Sequence, residues 1–114
     1  MEKIVERNML YDFYGELLTS HQQEIYESII FQDLSLSEVA ELHGISRQGV
    51  HDLVRRCDKL LQGYEDKLHL VERFVTLKSS VGELRELARE YSKSKSEKSY
   101  EQIDKLCQTI LEEL

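Results

Sequence analysis

The chain has no proline and no tryptophan, and only five glycines in 114 residues. Without proline nothing forces a helix to kink or stop, and so few glycines leave little material for the tight turns of strand-rich folds. No segment alternates apolar and polar residues between turn signals, so the pattern predicts an all-α protein. Long apolar runs are missing too. None approaches the roughly 20 residues that span a bilayer, and the opening MEKIVERNMLYDF lacks the basic start and apolar stretch of a secretory leader, which leaves the cytoplasm as the expected location. Cysteine is scarce: Cys57 and Cys107 lie inside helical patterns, far from any secreted disulfide framework, and both read as buried thiols. His21, His43, His51 and His69 show neither a His-x-x-x-His pair nor zinc-site spacing, so they read as surface residues with no metal. No Ser/His/Asp constellation, Gly-rich phosphate loop or buried carboxylate pair can be argued. Neither an enzyme nor a cofactor is expected.

Positive charge is also short. Fifteen basic residues face twenty-two acidic ones, a net charge of −7, which is the wrong sign for a protein that embraces nucleic acid over its whole surface. Its distribution is uneven. Residues 1–34 carry −5, residues 35–62 carry 0 and residues 63–114 carry −2. Within the middle block, Arg47, Arg55, Arg56 and Lys59 outnumber Asp52 and Asp58, so the one net-positive helical segment begins near residue 46.

The helical segments can be placed by period and caps. Ile4, Val5, Met9, Phe13, Leu17 and Leu18 recur at mostly three- and four-residue steps, with Tyr11 and Tyr14 flanking, and predict a first amphipathic helix. Thr19 and Ser20 precede Gln22 and Gln23 at capping-box spacing, and the helix they open is expected to bury Ile25, Ile29 and Ile30 and end near Asp33. Ser35 repeats the signal with Glu38, opening a short helix that turns Val39, Ala40 and Leu42 inward and closes at Gly44, where a left-handed residue is needed. Ile45 plugs the turn, and Ser46 caps the next helix, whose Val50, Leu53 and Val54 point back into the same core.

Beyond it, Val50, Val54, Cys57, Leu61, Tyr64, Leu68, Val71 and Val75 alternate steps of four and three. Such a heptad seam predicts one helix continuing to about Leu77 through Gly63, packed within the chain or against a second copy in a homodimer. Two further amphipathic segments follow, Val81 to Tyr91 and Tyr100 to Leu114, separated by the polar stretch SKSKSEKS (92–99), which reads as a linker. The expected division is a helix-turn-helix domain over 1–62 and a helical extension over 63–114.

The cap, Ala40, Gly44, Ile45, cap register is that of a helix-turn-helix, whose second helix enters the major groove. Its outward residues are Ser46, Arg47, Gln48, His51, Asp52, Arg55, Arg56 and Lys59, with Arg47, His51 and Arg55 on one stripe. Arg grips guanine O6/N7 and Gln grips adenine N6/N7, while Arg56, Lys59 and the Ser46 cap suit phosphate.

From Leu18 to Leu61 the chain resembles the fourth conserved region of bacterial sigma factors. Within that class, the Asn8–Leu17 segment, SLSEVAELHGISRQGVHDLVRR and KLLQGYEDKLHL resemble the YlxM family of bacterial helix-turn-helix proteins. The resemblance implies a sigma-region-4-like DNA-binding fold in a cytoplasmic protein whose family genes lie beside those of the signal recognition particle and its receptor. It therefore implies a regulatory or accessory role in membrane-protein targeting. His43 before the turn glycine, Gly49 in the recognition helix and the thin basic patch depart from sigma region 4 and argue against promoter −35 recognition. Two readings stand side by side: a weak DNA-binding regulator, and an adaptor that meets the signal recognition particle, as protein or RNA, through the acidic N-terminal block.

Overall fold

A computed structural model describes residues 2–114. Six helices follow one another: α1 (Lys3–Tyr14), α2 (Ser20–Ile30), α3 (Leu36–His43), α4 (Arg47–Leu68), α5 (Leu70–Ser94) and α6 (Glu97–Glu113), with a 3-10 turn at Gly15–Leu17. No strand occurs among the described residues, and none of their helices is long and apolar enough to cross a membrane. The chain forms two compact units, one ending at Val71 and one spanning Glu72–Leu114.

Local chemistry sets the helix boundaries. Thr19 Oγ1 accepts from Gln22 N at 3.1 Å while Gln22 Oε1 accepts from Thr19 N at 2.9 Å, and Ser35 and Glu38 repeat the reciprocal box at 3.1 and 3.2 Å. Gly44 closes α3 at φ 66°, where a side chain would be strained, and the N–H of Ile45 returns to Ala40 O at 3.1 Å. Ser46 Oγ then accepts from Gly49 N at 2.9 Å. A Cβ on residue 49 would stand 3.1 Å from that capping oxygen, so glycine there leaves the cap room at the expense of helix propensity.

α1, α2 and α3 all pack on α4. Its inward residues Val50, Val54, Cys57 and Leu61 are buried together with Ile25, Tyr26, Val39 and Ala40, as the heptad pattern requires. The seam therefore closes within one chain as far as Leu61, whereas Leu68 farther along it is 48% exposed.

Several expectations need correction. In α1 the buried face is Leu10 and Tyr14, continued by Leu18, whereas Ile4 and Leu17 are 73% and 58% exposed. The shift arises because Arg7 and Tyr14 have polar tips with partners inside the fold, and a count of apolar residues places both on the wrong side. Leu42 is likewise 72% exposed rather than inward, and in α2 it is Tyr26 that joins Ile25 in full burial, with Ile29 and Ile30 half-buried.

The long helix does not reach Leu77. His69 turns left-handed at φ 56° and α5 starts anew at Leu70. Side chains replace the missing helical bonds: the Leu70 N–H donates to Tyr14 Oη at 3.1 Å, the Val71 N–H donates to Glu65 Oε1 at 2.9 Å, and Tyr14 donates to the same Glu65 oxygen at 2.6 Å. These bonds hold the break against the core, so the first unit extends to Val71 and the expected division at 62/63 falls inside α4. The 92–99 linker is also mostly helix. α5 runs to Ser94, Lys95 turns left-handed at φ 50°, and Ser96 caps α6 by accepting from Ser99 N at 3.1 Å.

Burial pushes the Cys57 thiol up to about 11, while Cys107 is only half-buried. Burial, reinforced by hydrogen bonds to Glu65 and Asp58, also raises the Tyr14 and Tyr26 phenols. The native state thus keeps protons that the unfolded chain releases. Stability is expected to hold below the ordinary thiol range and to fall as pH rises through the ordinary thiol and phenol values. Urea midpoints at about pH 7, 9 and 10.5, bracketing those ranges, check this, and a midpoint unchanged at the highest value would contradict it.

Candidate nucleic-acid interface

One face of α4 is fixed by the core, and this decides what the opposite face can do. With Val50, Val54, Cys57 and Leu61 turned inward, Arg47, Gln48, His51, Asp52, Arg55, Arg56 and Lys59 are all exposed, as is the capping Ser46. The structure thus places every expected reader residue on the surface of one helix. Asp52, Arg55, Arg56 and Lys59 line a shallow depression on it.

Asp52 orders part of this face. Its Oδ1 accepts from Gln48 Nε2 at 3.0 Å and lies 3.7 Å from His51 Nδ1. Gln48 is therefore held along the helix by one amide N–H, with the other N–H and its carbonyl oxygen open to a base edge. His51 is an exposed residue with an acidic neighbour, available as a donor or an acceptor.

Asp58 counts in the sequence among the acids opposing the basic residues, but it turns the other way. Its Oδ1 accepts from Arg7 Nε at 3.1 Å and from Tyr26 Oη at 2.6 Å, and its Oδ2 accepts from Arg7 Nη2. Arg7 comes from α1 and Tyr26 from α2, so one carboxylate ties both helices to α4. The Asp58 hydrogen bond raises the Arg7 pKa further, keeping the guanidinium charged. With Asp58 engaged inward, the outward stripe carries Arg47, Arg55, Arg56 and Lys59 against Asp52 alone, a more positive surface than the composition of the segment implies.

These positioning residues were missed by sequence reasoning. The available signal was Arg7, one turn before Leu10 on the inward face of α1, because a charge in that place needs a buried counterpart. Tyr11 adds a further brace: its ring stacks on Tyr26 at 5.2 Å and its hydroxyl donates to Glu27 at 2.6 Å. α4 is consequently held by apolar packing and by directional bonds from two other helices. A rigid reader needs such support, since base contacts tolerate little misplacement.

The chain is similar in sequence to known proteins. A family model described as "UPF0122: Putative helix-turn-helix protein, YlxM / p13 like" matches residues 1–106. The chain is 44% identical over 95 residues to a UPF0122 protein of Clostridium botulinum (strain Alaska E43 / Type E3), covering 82% of this chain and 87% of the relative. Identity is 37% over 112 residues to a UPF0122 protein of Desulforamulus reducens, covering 98% of this chain and 96% of that one. To UPF0122 protein YlxM of Bacillus subtilis (strain 168) it is 41% over 88 residues, or 77% of this chain and 80% of the relative.

Proposed function

The chain belongs to the UPF0122 family of YlxM / p13-like helix-turn-helix proteins, and from that premise we propose that it is a non-enzymatic regulator that binds duplex DNA through the outward face of α4. One observation carries this reading. A capped helix held on its inner side by three others presents exposed Arg47, Gln48, His51 and Arg55 along its outer side, flanked by Arg56 and Lys59. In a major groove the first group faces base edges, and the second, with the N–H groups near the Ser46 cap, faces phosphate.

The acidic remainder of the chain weakens the grip. Residues 2–71 carry seven basic and thirteen acidic side chains, so long-range attraction to DNA is low and binding depends on the local stripe. Selection of bound sequences from random DNA and RNA pools at physiological salt tests the proposal, because non-specific retention fades there. Enrichment of a duplex DNA motif supports it, and recovery of unenriched pools contradicts it.

Asp52 offers a finer prediction. Asp52→Asn removes the one negative charge from the stripe and is expected to tighten non-specific duplex binding about three- to tenfold at low salt, corresponding to about 1 kcal/mol for one exposed charge pair. Anisotropy titrations of a labelled duplex read this directly. An unchanged affinity would place the stripe away from the DNA.

A second reading follows from the surface of the first unit. Glu2, Glu6, Asp12, Glu16 and Glu24 are all exposed, and a face of that sign suits a basic protein partner. On this reading the chain is an adaptor in membrane-protein targeting that meets the signal recognition particle. Binding of the purified particle with and without its RNA tests it, and retention of neither form would remove it.

A further inference from the structure

We propose that Asp52 is a positioning residue that sets base specificity: by holding the Gln48 side-chain amide in one orientation, it makes Gln48 a reader of adenine that rejects guanine. The inference rests on the DNA-binding reading of α4 and deepens it.

Position directs Gln48 to the groove floor. It is the second residue of α4, in the turn capped by Ser46, and in a helix-turn-helix the N-terminal residues of the second helix meet base edges. Asp52 lies one turn farther along the same side. Its Oδ1 accepts from Gln48 Nε2 at 3.0 Å, while His51 Nδ1 stands farther off at 3.7 Å.

The sense of this bond follows from the chemistry of its partners. A carboxylate only accepts, so the edge of the amide turned to Asp52 is its NH2 group and the carbonyl oxygen points elsewhere. An exposed amide without such a neighbour turns over freely and exchanges donor for acceptor. Gln48 does so only by bringing Oε1 against the Asp52 charge. What it keeps for a base is one N–H and one carbonyl oxygen.

That pair matches one base edge in full. Adenine presents the N6 amino group as donor and N7 as acceptor in the major groove, and a Gln amide meets both at once. Guanine presents two acceptors, O6 and N7, in their place. To serve them the amide must turn both N–H groups to the base, and Asp52 holds one of them. Kept as it is, Gln48 sets Oε1 against guanine O6. The Asp52 charge acts in the same sense, because the guanine edge is lined by acceptors. Cytosine presents only a donor there, and thymine an acceptor and a methyl group, so each engages half of the amide. The Asp52 side chain is 58% exposed in the free protein, where water competes for the bond. A closed groove removes that competition and strengthens the bond.

Sequence selection with the full chain, followed by titration of the selected duplex and of versions changed at single base pairs, tests this. The wild type should show one motif position at which adenine is preferred to guanine by about fivefold or more, the lower end for a bidentate contact. Asp52→Ala should lower that ratio about threefold or more, as expected for coupling between groups in direct contact, and leave other positions unchanged. Removing the Asp52 charge also strengthens binding to all sequences alike, and this cancels in the ratio. In Gln48→Ala the preference should be lost, and adding Asp52→Ala should change it no further. A ratio unmoved by Asp52→Ala, or one still altered by it in the Gln48→Ala background, would overturn the inference while the DNA-binding reading stands. Failure of the wild type to enrich any duplex motif would remove that reading and the inference with it.

Discussion

Asp58→Ala is expected to lower the unfolding free energy by about 3 kcal/mol, the larger part from leaving a buried hydroxyl without its acceptor. Tyr26 is fully buried, and its hydroxyl donates to Asp58. Stranding that group costs roughly 1–3 kcal/mol. Arg7 loses a two-pronged partner from its Nε and Nη2, but its side chain is 36% exposed and keeps much of its hydration, so its share is about 1 kcal/mol after allowing for solvent screening. Urea denaturation measures the sum. A loss under about 0.5 kcal/mol, the usual range for a surface change, would mean that the three-helix tie does not hold α4. Tyr26→Phe in the Asp58→Ala background separates the contributions. It should recover part of the loss, because the unsatisfied hydroxyl is gone.

Arg47→Ala with Arg55→Ala should weaken specific duplex binding by roughly 30- to 1,000-fold, since each well-placed Arg contact to a base contributes about 1–3 kcal/mol and the two are not strictly additive. Both residues are exposed and outside the core, so stability should move by no more than about 0.5 kcal/mol. The matched pair Arg56→Ala with Lys59→Ala is expected to act differently. Affinity should fall about equally for all sequences, and the dependence of log K on log salt should flatten by about one unit for each phosphate-neutralising side chain removed. If the two double variants behave alike, the division between base readers and phosphate anchors is wrong.

The helix-turn-helix was legible because its signals are local. Ser35 with Glu38, Gly44 and Ser46 each act within four residues, and all three are found where their chemistry places them. The inward seam of α4 was legible as far as Leu61 for a related reason: apolar period and burial coincide there. The seam misled beyond that point. Tyr64, Leu68, Val71 and Val75 keep the spacing, yet the break at His69 depends on Tyr14, more than 50 residues away in sequence, whose hydroxyl serves both Glu65 and the Leu70 N–H. No local pattern encodes such a bond. The same reasoning covers α1, where Arg7 and Tyr14 occupy inward positions because distant carboxylates receive them. In the candidate interface, the exposed residues could be read from helical period alone. That Asp52 holds Gln48, and that Asp58 leaves the outward face, required side-chain partners that spacing cannot supply.

The central claim is that α4 meets DNA with its outward face. Amide chemical-shift mapping of the full chain, titrated with a selected duplex at physiological salt, tests it most directly. The account predicts saturable shifts concentrated between Ser46 and Lys59, with the buried residues Ile25 and Val39 little affected. Shifts centred on α1 or α6, or no saturable shift in the Ser46–Lys59 segment, would contradict it.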